Sequence, residues 1–500
     1  MSPSGVSPAS AAEDQARAAF LQRYPEFART ARIDALRAAD YSRLDVQGQV
    51  YLDYTGGSLY GESQIREHGE LLNRHVFSNP HSANLTSAAT TDRVERARRS
   101  VLEYFNAPPG EYVAVFTLNA TGALKHVGES YAFAPGGRYV LTADNHNSVN
   151  GIREFARSKG AEVEYAPLTT PDLRIDVRRL DDLLDAADRT RPNLFAFPAQ
   201  SNFSGVKHPL DLIERAQKRG WDVLLDAAAF VPTNRLDLSA VRPDFVSLSF
   251  YKMFGYPTGV GCLLIRSLAL QKLVRPWYAG GTVNFATVRG RAHLLAPREA
   301  GFEDGTLSYL SIPAVEIGLR HLESIGIDAI QTRVRCLTAW LLERLLALQH
   351  SNGRHMARIY GPVDTTDRGG TLALNLYDPD GHLLDYRRVE ELASLQGISL
   401  RTGCFCNPGA GETAEGLTDD DMRAGLAVGA DVTLHRFREV MQQRGGKNAG
   451  AIRVSLGLMS NFADVHRFIT FAEGLRDQAR LAIGAVSFDV DSCRVMREGS

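Results

Sequence analysis

The sequence predicts an α/β protein: a large domain with a mainly parallel seven-stranded sheet, followed by a smaller α+β domain. Two observations predict the sheet. Seven strand-like segments recur between Tyr112 and Ile265, near Val113–Leu118, Tyr139–Thr142, Glu162–Tyr165, Leu194–Pro198, Val223–Leu225, Phe245–Ser249 and Gly261–Ile265. Helical stretches separate most of them, the pattern of strands buried on both faces. A third observation predicts the second domain, because the rhythm changes after about residue 321. There, two helical stretches (Ile312–Ser324 and Ile327–Leu348) lead to the strands TLALNLY and AIRVSLG, which flank helix Val389–Leu395 and the loop RTGCFCNPGAG.

The N-terminal segment, 1–50, starts as MSPSGVSPASAAEDQ, expected to be disordered, and continues as a helix from Glu13 to Ala39. Val50–Asp53 then reads as a short strand opening the glycine-rich loop TGGSLYG, and FSNPHSANLTSAATTDR as polar and turn-rich before a helix Asp92–Phe105. The large domain is placed at 51–320, the small one at 321–485 and a tail at 486–500. With 44% hydrophobic and 23% charged residues the chain has the composition of a soluble globular protein. A net charge of −2 gives no electrostatic footprint for nucleic acid or an anionic membrane, and RVERARR at 93–99 reads as a solvated helix face. No apolar run reaches the roughly 18 residues of a membrane span. Five cysteines, an odd number without a signal-peptide pattern, imply reduced thiols and a cytoplasmic setting.

Chemistry is written at the strand ends. Lys252 follows the apolar run Phe245–Phe250 and precedes Gly255, Pro257, Gly259 and Gly261; Asp226 ends another run, in VLLDAAAF. The C-terminal ends of strands in an open α/β sheet face the ligand crevice. A buried amine is suited to a Schiff base with a cofactor aldehyde, and an acid opposite it keeps a pyridine nitrogen protonated. These are the two anchors of pyridoxal phosphate. A lysine beside glycine turns is more often merely solvated, so the weight comes from further signals in order. Ala120, Thr121 and Gly122 open a helix directly after a strand, where amides and a hydroxyl suit a phosphate, although an ordinary N-cap looks the same. His146 lies just past the next strand, where an imidazole could stack on the ring. Asn202 follows another strand and could reach the ring oxygen, and Ser249 could add a phosphate contact. No GxGxxG follows a strand, which argues against a dinucleotide.

These stretches resemble a known family. YLDYTGGSLY, NPHSANLTS, NATGALK, DNHNSVNGIREF, SNFSGVKHPL, LDAAAFVPT, SFYKMFGYPTGVG, AGGTV, FEDGTLSYLSI, ISLRTGCFCNPGA and IRVSLGLMS together resemble the fold-type I pyridoxal phosphate enzymes of the class V aminotransferase group. Within that group they resemble the N-terminal domain of molybdenum cofactor sulfurases and the cysteine desulfurases, from about residue 50 to 470. The resemblance implies an aspartate aminotransferase-like large domain in which Lys252 holds the cofactor, Asp226 pairs with its ring nitrogen and His146 stacks on it. It places Asn202 on the ring oxygen and Thr121 and Ser249 on the phosphate. Thr282 would reach the phosphate of a neighbouring subunit, implying a homodimer, and Arg453 would clamp the carboxylate of an amino-acid substrate. It puts a sulfur-accepting nucleophile at Cys406, with Cys404 as runner-up or helper, converting L-cysteine to L-alanine and an enzyme persulfide.

Residue chemistry agrees with a mobile thiolate: the cysteine loop is flanked by glycine and proline, and Arg401 stands nearby. A metal site is disfavoured because Cys262, Cys336 and Cys493 supply no second pair. Cys262 and Cys336 read as inert core thiols. The chain departs from the family at Tyr54 and Thr55, where sulfurases show His and Ala, at Gly411, where they often have Cys, and at Ala229, where desulfurases place a polar residue. The full-length sulfurases carry a further C-terminal domain, so any sulfur acceptor is expected to be a separate molecule. The alternative enzyme reading keeps the cofactor but diverts the chemistry to a C–S lyase, a transaminase or carbon–carbon bond formation. The alternative from another class is a non-catalytic cofactor-binding or sulfur-relay protein.

Overall fold

The computed structural model describes residues 8–80, 82–274, 280–427, 440–441, 444, 450–480, 486–489 and 494–497. Cys493, the first seven residues and residues 490–493 and 498–500 of the predicted tail lie outside them. Seven strands form the large sheet: β1 (Tyr112–Thr117), β2 (Arg138–Thr142), β3 (Glu162–Ala166), β4 (Asn193–Pro198), β5 (Asp222–Asp226), β6 (Phe245–Ser249) and β7 (Gly261–Arg266). Their order across the sheet is β1-β7-β6-β5-β4-β2-β3. β7 runs antiparallel to both neighbours, and the remaining strand pairs of this sheet are parallel. All residues of β4, β5 and β6 are buried, the expected state of central strands with helices on both faces.

A second sheet combines β8 (Ala357–Tyr360), β9 (Thr371–Leu376), β10 (Arg401–Gly403) and β11 (Ala451–Ser455) in the order β8-β9-β11-β10, all antiparallel. Two long helices, α3 (Pro313–Ile325) and α4 (Ile327–Ala347), separate the sheets in sequence. The N-terminal segment docks on the second body. Val50 and Tyr51 pair with Ile398 and Ser399, Asp53 bridges to Ser455, and buried Arg37 is salt-bridged to Asp464.

Two helix expectations are corrected. The span Glu13–Ala39 is not one helix: a helix over Pro8–Arg23 stops before Pro25, a 3-10 turn covers Pro25–Thr30, and a second helix runs Ala31–Asp40. Proline lacks the amide that would continue the first helix and its ring clashes with the preceding turn. Helix α1 starts at Leu85, seven residues before the expected Asp92, and runs to Tyr104. Asn84 caps it by accepting a hydrogen bond from the Ser87 amide (3.0 Å), so the later half of the polar stretch, from Leu85, forms the helix's first two turns.

Candidate active site

The sheet topology gathers the strand ends. β1, β2, β4, β5 and β6 all finish at one edge, where antiparallel β7 begins, as the pairs Pro198–Asp226, Asp226–Ser247, Ser249–Gly261 and Gly261–Thr117 show. A cavity of about 370 Å³ opens there, lined among others by Thr121, His146, Asn202, Asp226, Ser249 and Lys252. Lys252 sits in a short helix, Phe250–Phe254, whose Phe250, Met253 and Phe254 are fully buried. Burying each such side chain contributes about 1.5–3 kcal/mol, which fixes the turn that presents the amine. Gly255 ends the helix at φ 80°, and any side chain there would collide with the backbone of Leu59 and Tyr60.

Asp226 is oriented from behind. Its Oδ1 accepts hydrogen bonds from Ser247 Oγ (2.9 Å) and the Ala228 amide (3.1 Å), which holds the carboxylate plane and leaves Oδ2 for the cavity. His146 caps the short helix Asn147–Asn150, its Nδ1 accepting from the Ser148 amide (3.1 Å). That bond assigns the proton of the neutral ring to Nε2. Burial lowers the His146 pKa, opposed by Asp226 and assisted by Lys252 and Arg453, so the ring is held in its neutral form.

At the other end of the cavity, helix α2 (Ala120–Ser130) starts beside Ser249. Asn119 caps it by accepting from the Gly122 amide (2.9 Å), and the Ala120 amide donates to Ser249 Oγ (3.1 Å). Ser249 therefore keeps its own proton free to donate. Thr121 and Ser148 hydroxyls meet at 2.8 Å. Gly261 is needed below them, since a Cβ there would run into the backbone of Asn119. Ser148 was missed by sequence reasoning; its only signal is its place two residues after His146.

The carboxylate end is already paired. Arg453 is 2% exposed; its Nη2 donates to Asp53 (2.8 Å) and its Nη1 to the Asn202 carbonyl (3.2 Å), while its Nε has no hydrogen-bond partner among the described residues. Asp53 also holds Arg401 (2.7 Å), the arginine expected to serve the thiolate. The Asn202 side chain faces the cysteine loop as well as the cavity, donating to the Phe405 carbonyl (2.8 Å) and accepting from Asn407 Nδ2 (2.8 Å). Fully buried Asn407 reaches on to the Asp144 carbonyl (2.7 Å), pinning the loop to the turn after β2. Asp53 and Asn407 are site residues that sequence reasoning missed, although both lie inside motifs it singled out.

Cys404 and Cys406 are exposed, and the Asn147 amide, next to His146, donates to the Cys406 carbonyl (2.6 Å). Cys406 is not among the cavity-lining residues, but a thiolate there would be close enough to act on Lys252. Cys262 and Cys336 are buried, and burial pushes the Cys336 thiol up to about 12 and Cys262 higher still. Thr282 lies away from the cavity lining. It is buried in its own chain, with no hydrogen-bond partner for its hydroxyl among the described residues. Among those residues, the one cluster with metal-ligand chemistry, Asp378, Asp380 and His382, is largely exposed and contributes nothing to the cavity lining. No helix of the described residues is long and apolar enough to cross a membrane.

This donor set fits pyridoxal phosphate. Lys252 would take the aldehyde, Asp226 Oδ2 the ring nitrogen and His146 the ring face. Thr121, Ser249 and the start of α2 would take the phosphate. The surroundings tune the lysine for this chemistry. Burial, with help from Arg453 and Arg401, lowers its pKa below the ordinary 10.5 against the pull of Asp226 and Cys406. The unfolded chain thus keeps this proton to a higher pH than the folded one. The burial penalty is complete below the lowered folded pKa and disappears as pH rises towards 10.5. Lys252→Met should therefore stabilise the cofactor-free protein most at neutral and acid pH, with a gain that shrinks in alkali. Thermal unfolding of both proteins across pH checks this; a gain independent of pH contradicts it.

A model of the family described as aminotransferase class V matches residues 50–468. Molybdenum cofactor sulfurase of Solanum lycopersicum is 38% identical over 473 residues, covering 88% of this chain and 57% of that protein. The protein of the same name from Homo sapiens is 36% identical, covering 87% and 50%. The chain spans a little over half the length of the curated relatives it matches. Among solved structures, a cysteine desulfurase from Thermococcus onnurineus NA1 superposes with a TM-score of 0.72 at 22% identity, over 89% of this chain and 98% of that one. The cystine C–S lyase C-DES, in complex with cysteine persulfide, superposes with a TM-score of 0.63 at 17% identity, over 85% and 97%. At such identities the likeness is one of fold.

Proposed function

The chain belongs to the aminotransferase class V family, and from that premise we propose that it is a pyridoxal phosphate-dependent enzyme taking sulfur from L-cysteine. L-Alanine and a persulfide on Cys406 are the products. The observation that carries this reading is the exposed Cys404–Cys406 loop, tied through Asn202 and Asn407 to the cavity that holds Lys252 and Asp226. A transaminase needs the lysine and the acid but has no use for a thiol loop anchored beside them.

When bound, the cofactor supplies an electron sink that makes the substrate Cα proton acidic. Asp226 sustains it by holding a negative charge against the ring nitrogen. Lys252, with its pKa lowered by burial, is the base that moves the Cα proton. Arg453 receives the substrate carboxylate, a role that suits a planar fork of N–H donors. The Cys406 thiolate attacks the substrate sulfur: an S–S bond forms, the Cβ–S bond breaks, and its electron pair stays on carbon to be protonated. Cysteine plus thiol thus gives alanine plus persulfide, balanced without any added oxidant. An acceptor then takes the sulfur.

The chain functions as a two-fold dimer in this reading. Its support is the large apolar side chains left open to solvent: Leu118 on the cavity lining is 73% exposed, and Phe285 and Leu294, in the antiparallel pair Val283–Thr287 and Ala292–Leu295, are 61% and 64% exposed. Sedimentation should give about 110 kDa, twice the 54.8 kDa chain; an active, fully loaded monomer contradicts it. The function itself is tested with a panel of amino acids, measuring sulfide, alanine, pyruvate and CO₂ together. Equal alanine and sulfur release from L-cysteine supports desulfuration; pyruvate would instead identify a lyase, and CO₂ a decarboxylating carbon–carbon chemistry.

A further inference from the structure

Phe405 separates the two cysteines of the loop, and it is the buried one of the three. It is 7% exposed while Cys404 and Cys406 are both exposed. Its ring covers the guanidinium of Arg453, 4.8 Å from Cζ to ring centroid, and also packs on Phe203, with centroids 5.6 Å apart. Its carbonyl accepts from Asn202. The backbone bears a cost for this position, because Phe405 and Cys406 are consecutive non-glycine residues at φ 55° and 54°. Arg453 itself is buried, stands outside the cavity lining and keeps an Nε–H unpaired among the described residues.

A carboxylate in the cavity can reach that N–H only if something moves. The surrounding residues 201–204 are all buried, whereas Phe405 belongs to a strained loop with exposed neighbours. Resting on the function proposed above, we infer that Phe405 is a positioning residue: its ring competes with the substrate carboxylate for Arg453, so that binding an amino acid lifts the loop that carries Cys406. The nucleophile is then released when substrate is in place and held down when it is not.

L-Alanine tests this without turnover, since it carries the carboxylate and no thiol. In the cofactor-loaded wild type, saturating L-alanine should speed deuterium uptake in segment 402–410 by about tenfold, the population shift expected from losing one desolvated cation–π contact. Phe405→Leu keeps the apolar bulk but not the ring; its uptake should already be fast without ligand, and it should bind L-alanine about tenfold more tightly, since the competitor is gone. Its KM for L-cysteine should fall along with kcat. Phe405→Tyr should behave as wild type. The inference is overturned by a wild type whose loop exchange does not respond to bound L-alanine, by one that L-alanine does not bind, or by a Leu variant that binds no more tightly. The wild-type measurement decides even if the variant fails to fold. A failure of the function reading shows elsewhere, in sulfur release by Cys406→Ala.

Discussion

Cys406→Ala should retain the cofactor and still bind L-cysteine, yet lose persulfide formation by about 10³-fold or more, as loss of a covalent nucleophile commonly does. Lys252, Asp226, His146 and the start of α2 are untouched by the change, and so are the anchors Asn202–Phe405 and Asn407–Asp144 that hold the loop. Binding measured by the cofactor spectrum should stay within a few-fold of wild type. Cys404→Ala should lose far less, because Cys406 adjoins Asn147 and the cavity's histidine while Cys404 contributes its carbonyl to the Asn407 amide. Sulfide and alanine release, measured for both variants side by side, separate the two thiols. Full turnover by Cys406→Ala would make the thiol a bystander and favour the lyase or transaminase reading.

Lys252→Ala should remove the covalent hold on the cofactor and abolish turnover, again by about 10³-fold or more. Among the described residues no other lysine lines the cavity. Borohydride reduction of the wild type followed by peptide mapping should place the cofactor on Lys252, and the variant should lose the visible absorbance of the lysine-bound form. The fold should survive, since the helix that carries Lys252 is held by Phe250, Met253 and Phe254 and not by the amine. Reduction that labels a different lysine would contradict the assignment.

The sheet was legible because strands buried on both faces need almost continuous apolar runs, and each such run stands out between polar helices. The strand-end residues followed from it: once five parallel strands finish at one edge, Thr121, His146, Asn202, Asp226 and Lys252 must gather there. What stayed hidden depends on segments distant in sequence. Asp53 pairs with Arg401 and Arg453 across about 350 and 400 residues, and no local pattern announces such a pair. The same holds for Asn202, whose side chain reads as a ligand for the cofactor but also serves the cysteine loop. The break at Pro25 was a local signal within a helical stretch, and the early start of α1 was hidden because its first turns are polar enough to read as loop.

Sulfur transfer to this chain is the claim on which the rest depends. Wild-type protein loaded with pyridoxal phosphate, treated briefly with L-cysteine without reductant and then alkylated and digested, reports it in one mass spectrum. The account predicts that the peptide bearing Cys406 gains the mass of one sulfur atom, that the peptide bearing Lys252 does not, and that alanine appears in equal amount. Free sulfide and pyruvate with Cys406 unmodified would contradict it.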